Sequence, residues 1–123
     1  ESVFEHFYRY DQDNTLRDFH RILKKGGKLV IMWLPDFDAI IDAYIKRKKG
    51  IVGERFDLFN VYRFTHADPD PKNSPQQLHK DIFTKDTIRD LLERNGFKIE
   101  TIKNEIFPDE EIVVSLNIIA TKT

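Results

Sequence analysis

Residues 28–34 restrict the fold more than any other stretch: Lys-Leu-Val-Ile-Met-Trp-Leu follows two glycines and stops at Pro35. A run of apolar side chains without polar alternation reads as a strand covered on both faces, the kind found in α/β sheets. Ahead of it, Leu16, Phe19, Ile22 and Leu23 fall at i, i+3, i+6 and i+7, which predicts an amphipathic helix over residues 13–25. Asp13 or Asn14 is the expected cap, Lys24 and Lys25 suit the negative end of the helix dipole, and Gly26 is expected in the left-handed C′ conformation.

A second helix is expected over residues 36–49, with Phe37, Ile40, Ile41, Tyr44 and Ile45 on one side and Gly50 closing it. Residues 51–64 have apolar side chains without a clean period, so a short irregular helix or a strand would serve. Pro69, Pro71 and Pro75 mark residues 65–77 as a surface loop. Thr84 caps a third helix that Asn95-Gly96 ends. Residues 98–103 alternate weakly and carry lysines, as an edge strand does. Pro108-Asp109-Glu110 turns the chain into a strand over residues 111–121, which has apolar residues on both faces and pairs antiparallel with its predecessor.

At 123 residues the chain is read as one domain. Twenty basic and 21 acidic side chains leave a formal net charge of −1, so no positive field gathers phosphates and no nucleic-acid partner is expected. The absence of cysteine excludes disulfides, thiolate nucleophiles and zinc ribbons. No apolar run is long enough to cross a bilayer, so no membrane partner is expected, and the expected location is cytoplasmic.

Three segments resemble the C-terminal half of a class I, Rossmann-like S-adenosylmethionine-dependent methyltransferase. Val3-Phe4-Glu5-His6 matches that family's "vlEH" segment, and Arg21-Ile22-Leu23-Lys24-Lys25-Gly26-Gly27 matches its "RvLKPGG" with Lys25 in the proline's place. Phe83-Thr84 through Leu91-Leu92-Glu93-Arg94-Asn95-Gly96-Phe97 matches "ft…l..lLe..GF". The order is kept along nearly the whole chain. The resemblance implies an α/β fold: a partial Rossmann-like sheet with one parallel-type strand (28–34), a C-terminal antiparallel hairpin and flanking helices. The final strand would lie against strand 28–34, with 98–103 at the edge. A parallel partner strand would end just before Glu1, which makes the chain the later portion of a longer domain.

The resemblance implies S-adenosylmethionine as cofactor and methyl transfer to a small-molecule or glycan-type acceptor. It also exposes a departure, because Gly26, Gly27, Gly50, Gly53 and Gly96 form no strand-to-helix G-x-G turn, so most of the donor site is missing and the chain alone is expected to be inactive. Cofactor-side positions carried over are Glu1, Ser2, Glu5 and His6. His6 and Asp36 are the catalytic candidates, as acceptor-positioning or proton-receiving groups. The plainer roles are packing beside Phe7 and Tyr10 for His6, and an N-cap for Asp36.

Trp33, Pro35, His66 and His79 are substrate-side candidates, although a large aromatic in a buried strand, as Trp33 is, is core more often than site. His66 and His79 with Asp68 and Asp70 match no metal-ligand spacing, so no metal is expected. The run Lys46-Arg47-Lys48-Lys49 reads as a solvated helix end. The rival functional class is a non-enzymatic α/β interaction module, a degenerate methyltransferase partner that docks through the uncovered side of strand 28–34. Self-association through that sheet edge is expected in either case.

Overall fold

The structure is a computed structural model that describes residues 4–48, 57–67, 78–106 and 113–123. A single 3-10 turn, Phe4–His6, leads into helix α1, Arg9–Ile22, and strand β1, Lys28–Pro35. Helices α2, Phe37–Lys48, and α3, Leu58–His66, follow. Helix α4, Lys85–Arg94, precedes the hairpin of β2, Phe97–Glu105, and β3, Ser115–Lys122. The expected loop tip at 68–77 and the turn at Pro108-Asp109-Glu110 lie outside the described residues, as does Gly50.

The sheet has the order β1-β3-β2, and both pairings are antiparallel. The last strand therefore sits between the other two, with β2 at an edge, as the resemblance implies. The parallel-type pairing expected for strand 28–34 is not seen among the described residues: β1 is also an edge. It is not covered on both faces either, since Val30 and Met32 are 55% and 42% exposed. Leu29, Ile31 and Leu34 point the other way, opposite Ala120, Ile118 and Leu116 of β3. The unbroken apolar run records the composition of both faces, while coverage depends on what packs there.

On the covered face Leu16 of α1 and Ile88, Leu91 and Leu92 of α4 join Ile31, Leu34, Leu116 and Ile118 in one core. Fully burying a Leu or Ile side chain contributes roughly 1.5–3 kcal/mol, so these residues supply the main driving force. A smaller cluster of Ile40, Ala43 and Val114, flanked by Tyr44, Val61 and Phe64, joins α2 to α3. Of the ambiguous segment 51–64, residues 51–56 lie outside the described residues and 58–64 are helix, because the Asp57 side chain accepts the Asn60 amide at 3.0 Å and α2 offers an apolar partner.

Two helix ends match expectation and one start does not. Thr84 caps α4 reciprocally with Thr87, and Gly96 follows it at φ +86°. Gly26 is left-handed as expected, φ +81°, but the α1 cap is Leu23, so Gly26 belongs to the ensuing turn and not to C′. Helix α1 starts at Arg9, four residues before the expected start at 13, and Asp13 does not cap it. Buried Gln12 and exposed Tyr10 invert the polarity that the stripe relies on, and Ile22 is exposed despite lying on the stripe. Asp13 instead ties α1 to the end of α4: Arg94 donates to both its oxygens at 3.0 Å, and Asn95 Nδ2 donates at 2.7 Å.

Hydrogen bonds from Arg94, then Asn95, hold the Asp13 carboxyl down at about 2. A depressed folded pKa contributes stability that is present above the unfolded value of 3.8 and lost as pH falls through about 2. The pair is partly solvated, so Asp13→Asn is expected to cost only about 1 kcal/mol at neutral pH by urea unfolding. The gap to wild type should close near pH 2; a gap that persists there would show the tie is not ionic.

Gly96 and Gly26 also separate cleanly. A Cβ on Gly26 meets nothing within 4 Å, whereas one on Gly96 would lie 2.6 Å from His20 Nε2, on a ring packed edge-on against Phe97. Gly26→Ala is expected to cost about 1 kcal/mol, the left-handed penalty alone, and Gly96→Ala about 2 kcal/mol or more. Equal losses in thermal unfolding would contradict the packing at His20.

Candidate functional site

The 3-10 turn Phe4–His6 docks beside the carboxyl end of β1, where Glu5 and Pro35 line one recess. Phe4 anchors the turn by full burial and an edge-on contact with Phe7, ring centroids 5.6 Å apart. The anchored turn buries the neighbouring Glu5 side chain, 6% exposed, and sets its Oε1 3.3 Å from His6 Nε2.

The segment 78–83 closes over this turn. The Glu5 carbonyl accepts the amide of Lys80, and His6 Nδ1 pairs with the Leu78 carbonyl at 3.3 Å. Asp81 locks the segment down: Arg9 Nε and Nη2 donate to its two oxygens at 3.0 and 2.7 Å, and Gln12 Nε2 adds a third bond at 3.0 Å. Burial pushes the Asp81 carboxyl up, but these donors and the Ile82 amide outweigh it, and the net shift is downward. A bidentate arginine-carboxylate pair fixes orientation as well as distance.

The lock brings His79 beside His6, with ring centroids 5.0 Å apart at 80°. His79 also bonds the Phe64 carbonyl through Nδ1 at 3.0 Å, which ties α3 into the site. Burial, then the neighbouring His6, lowers the His79 pKa to about 4, so this imidazole is neutral at physiological pH. One ligand-type atom from each of Glu5, His6 and His79 lies within 4.8 Å of the others. Beside them a narrow recess is lined by Glu5, Pro35, Phe37, Ile40, Phe64, Thr65, Asp81, Ile82 and Phe83.

Of the residues singled out in the sequence, Glu5, His6 and His79 thus come together, and Pro35 borders their recess. Glu1 and Ser2 lie outside the described residues, as do Asp68 and Asp70. His66 ends α3; its Nδ1 pairs with Thr65 Oγ1 at 2.7 Å and its ring stacks on Tyr62. Its carbonyl accepts the His79 amide at 3.2 Å. Trp33 sits in the β1 bulge between Ile31 and Leu34 at φ +61°, its amide donating to Asn117 Oδ1 at 2.8 Å. Left-handed backbone is uncommon for so bulky a residue.

Asp36 fulfils the plainer of its two roles. Its Oδ1 accepts the Asp38 amide at 3.1 Å at the start of α2, and its Oδ2 accepts Asn104 Nδ2 at 2.8 Å. It opens onto a separate depression with Asp38, Asp42, Lys46, Lys85 and Asn104, and not onto the recess beside Glu5. The two catalytic candidates are therefore not joined in one site. Arg9, Gln12 and Asp81 carried no signal in the sequence, since the first two sit before any apolar period and the third in a polar stretch.

Among the described residues, no helix is long and apolar enough to cross a membrane. No family model matches the chain, and no curated protein matches it. The chain does superpose on the crystal structure of a SAM-dependent methyltransferase from Methanosarcina mazei, with a TM-score of 0.55 and 19% identity. The alignment covers 92% of this chain and 51% of that one, so the chain spans about half the length of that enzyme. At this identity the likeness establishes the architecture: the chain has a methyltransferase-like α/β fold.

Proposed function

We propose that the chain is the later portion of an S-adenosylmethionine-dependent methyltransferase domain acting on a small-molecule or glycan-type acceptor. The observation that carries this reading is the superposition on a methyltransferase over 92% of the chain. Support comes from the cluster of Glu5, His6 and His79 at the carboxyl end of β1, where such folds place ligands.

The residues present do not fit a complete donor site. The left-handed glycines, Gly26 and Gly96, hold turns at the opposite end of the sheet, where Gly26 N–H and the Gly96 carbonyl bond Lys122 and Thr123. No glycine turn faces Glu5 among the described residues. In this reading the donor pocket is completed by polypeptide preceding Glu1, and Glu1, Ser2, Glu5 and His6 border it. The neighbouring cluster orients the acceptor and serves the proton that an oxygen or nitrogen acceptor must lose.

A second reading rests on β1 itself, which among the described residues is paired on one side only and turns Val30 and Met32 outward. An open edge with apolar flanking residues is a template for another strand. In the first reading that strand belongs to the same domain; in the second it belongs to a partner chain, and the protein is a non-enzymatic module.

The 123-residue chain alone is expected to give no S-adenosylmethionine binding heat in calorimetry up to about 1 mM ligand. Tight binding would refute the incomplete donor site. Expressed with its upstream polypeptide, the protein is expected to bind the cofactor and transfer methyl groups, and His6→Ala to slow transfer by about 10²-fold or more. Failure of that longer form to bind the cofactor would favour the interaction module.

The chain alone is also expected to self-associate through β1 in light scattering, and Val30→Lys to reduce the association. A monodisperse monomer at high concentration would rule this out.

A further inference from the structure

We propose that Glu5, His6 and His79 form a binding site for a divalent first-row transition-metal ion, of the zinc class. The site takes the same cluster that the methyl-transfer reading gives to the acceptor, but ion binding is measured without donor or acceptor, so its failure is distinguishable from failure of that reading.

Two imidazoles and one carboxylate converge from positions more than seventy residues apart, with a ligand-type atom of each within 4.8 Å of the others. Zinc bonds of about 2.0–2.1 Å set tetrahedral ligand atoms about 3.3 Å apart. Glu5 Oε1 and His6 Nε2 already stand at 3.3 Å. Closing the third ligand onto an ion takes at most about 1.5 Å of ring movement, within the reach of a side-chain rotation.

The backbone prepares both rings for the task. His6 Nδ1 faces the Leu78 carbonyl and His79 Nδ1 faces the Phe64 carbonyl, at 3.3 and 3.0 Å. A carbonyl only accepts, so each Nδ1 carries a hydrogen; His6 Nε2, 3.3 Å from the Glu5 carboxylate, gives up any proton it shares with that carboxylate when an ion takes its place. A carbonyl on the far nitrogen is the usual outer support of a metal-binding histidine. The donor set selects the ion: mixed imidazole and carboxylate suits zinc or iron(II), while magnesium and calcium prefer all-oxygen cages. Three protein ligands leave one position of a tetrahedral ion for a further ligand. The Arg9–Asp81 lock keeps His79 in place before any ion arrives, which lowers the ordering cost of binding.

The test is calorimetric titration of the chain with Zn²⁺, paired with Co²⁺ absorption spectroscopy. The expected result is uptake of one ion per chain and a visible spectrum of nitrogen- and oxygen-ligated cobalt. Glu5→Gln, His6→Asn and His79→Asn are each expected to weaken Zn²⁺ binding by about tenfold or more, and His20→Asn, at the other end of the sheet, to leave it unchanged. No uptake by wild type up to about 1 mM Zn²⁺ would overturn the proposal. Wild-type affinity retained in all three ligand variants would do the same. Should a variant fail to fold, histidine ring resonances of the wild-type chain decide: Zn²⁺ is expected to shift those of His6 and His79, and shifts confined to His20 or His66 would overturn the site.

Discussion

The fold hangs on β3. Among the described residues both other strands pair with it and not with each other, so the ladders of the three-stranded sheet all have β3 on one side. Its inward residues Leu116, Ile118 and Ala120 are fully buried, and they lie opposite Leu34, Ile31 and Leu29 of β1. At its end Lys122 exchanges backbone bonds with Gly26 and Gly27, and its ammonium donates to the carbonyls of His20 and Leu23. Those carbonyls end α1 and have no partner within the helix, so the last strand also finishes the first helix. Truncating a buried Leu or Ile costs about 2–5 kcal/mol, so Leu116 and Ile118 tolerate little change.

The site is a consequence of that frame with one addition. Because β1 is fixed against β3, its carboxyl end has a defined position, and the turn carrying Glu5 and His6 packs beside it. His79 follows 73 residues after His6 in the chain, and it is delivered by the Arg9–Asp81–Gln12 lock. Asp81 is nearly buried and Arg9 is exposed, so the pair gains more from geometry and from satisfying the buried carboxylate than from Coulomb attraction across solvent. The chemistry-bearing side chains are thereby held by residues that carry no chemistry of their own.

Asp13 and the strand 28–34 show why sequence pattern falls short at particular places. Asp13 has the composition of a cap, but caps are decided by where the helix axis begins, and α1 begins where Tyr8 turns the backbone. Its partners Arg94 and Asn95 are 81 and 82 residues away, beyond any local signal. In strand 28–34 the alternation was absent because both faces are apolar, yet one of them meets solvent at Val30 and Met32. Apolar composition states what a face would tolerate, and the neighbours state what it receives.

Local physics was therefore written in the sequence: the strand at 28–34, the Thr84 cap, the left-handed glycines after helices and the final antiparallel hairpin all follow from side chains within a few residues of one another. The pairing order, with the last strand inserted beside the first, was legible only through resemblance, since strand order depends on contacts across ninety residues. Tertiary structure alone decided that His79 joins Glu5 and His6, that Asp36 caps a helix apart from them, and that Asp13 is a tie between helices. Those outcomes depend on distances between chain-distant atoms, and periodicity, capping and composition act only between neighbours.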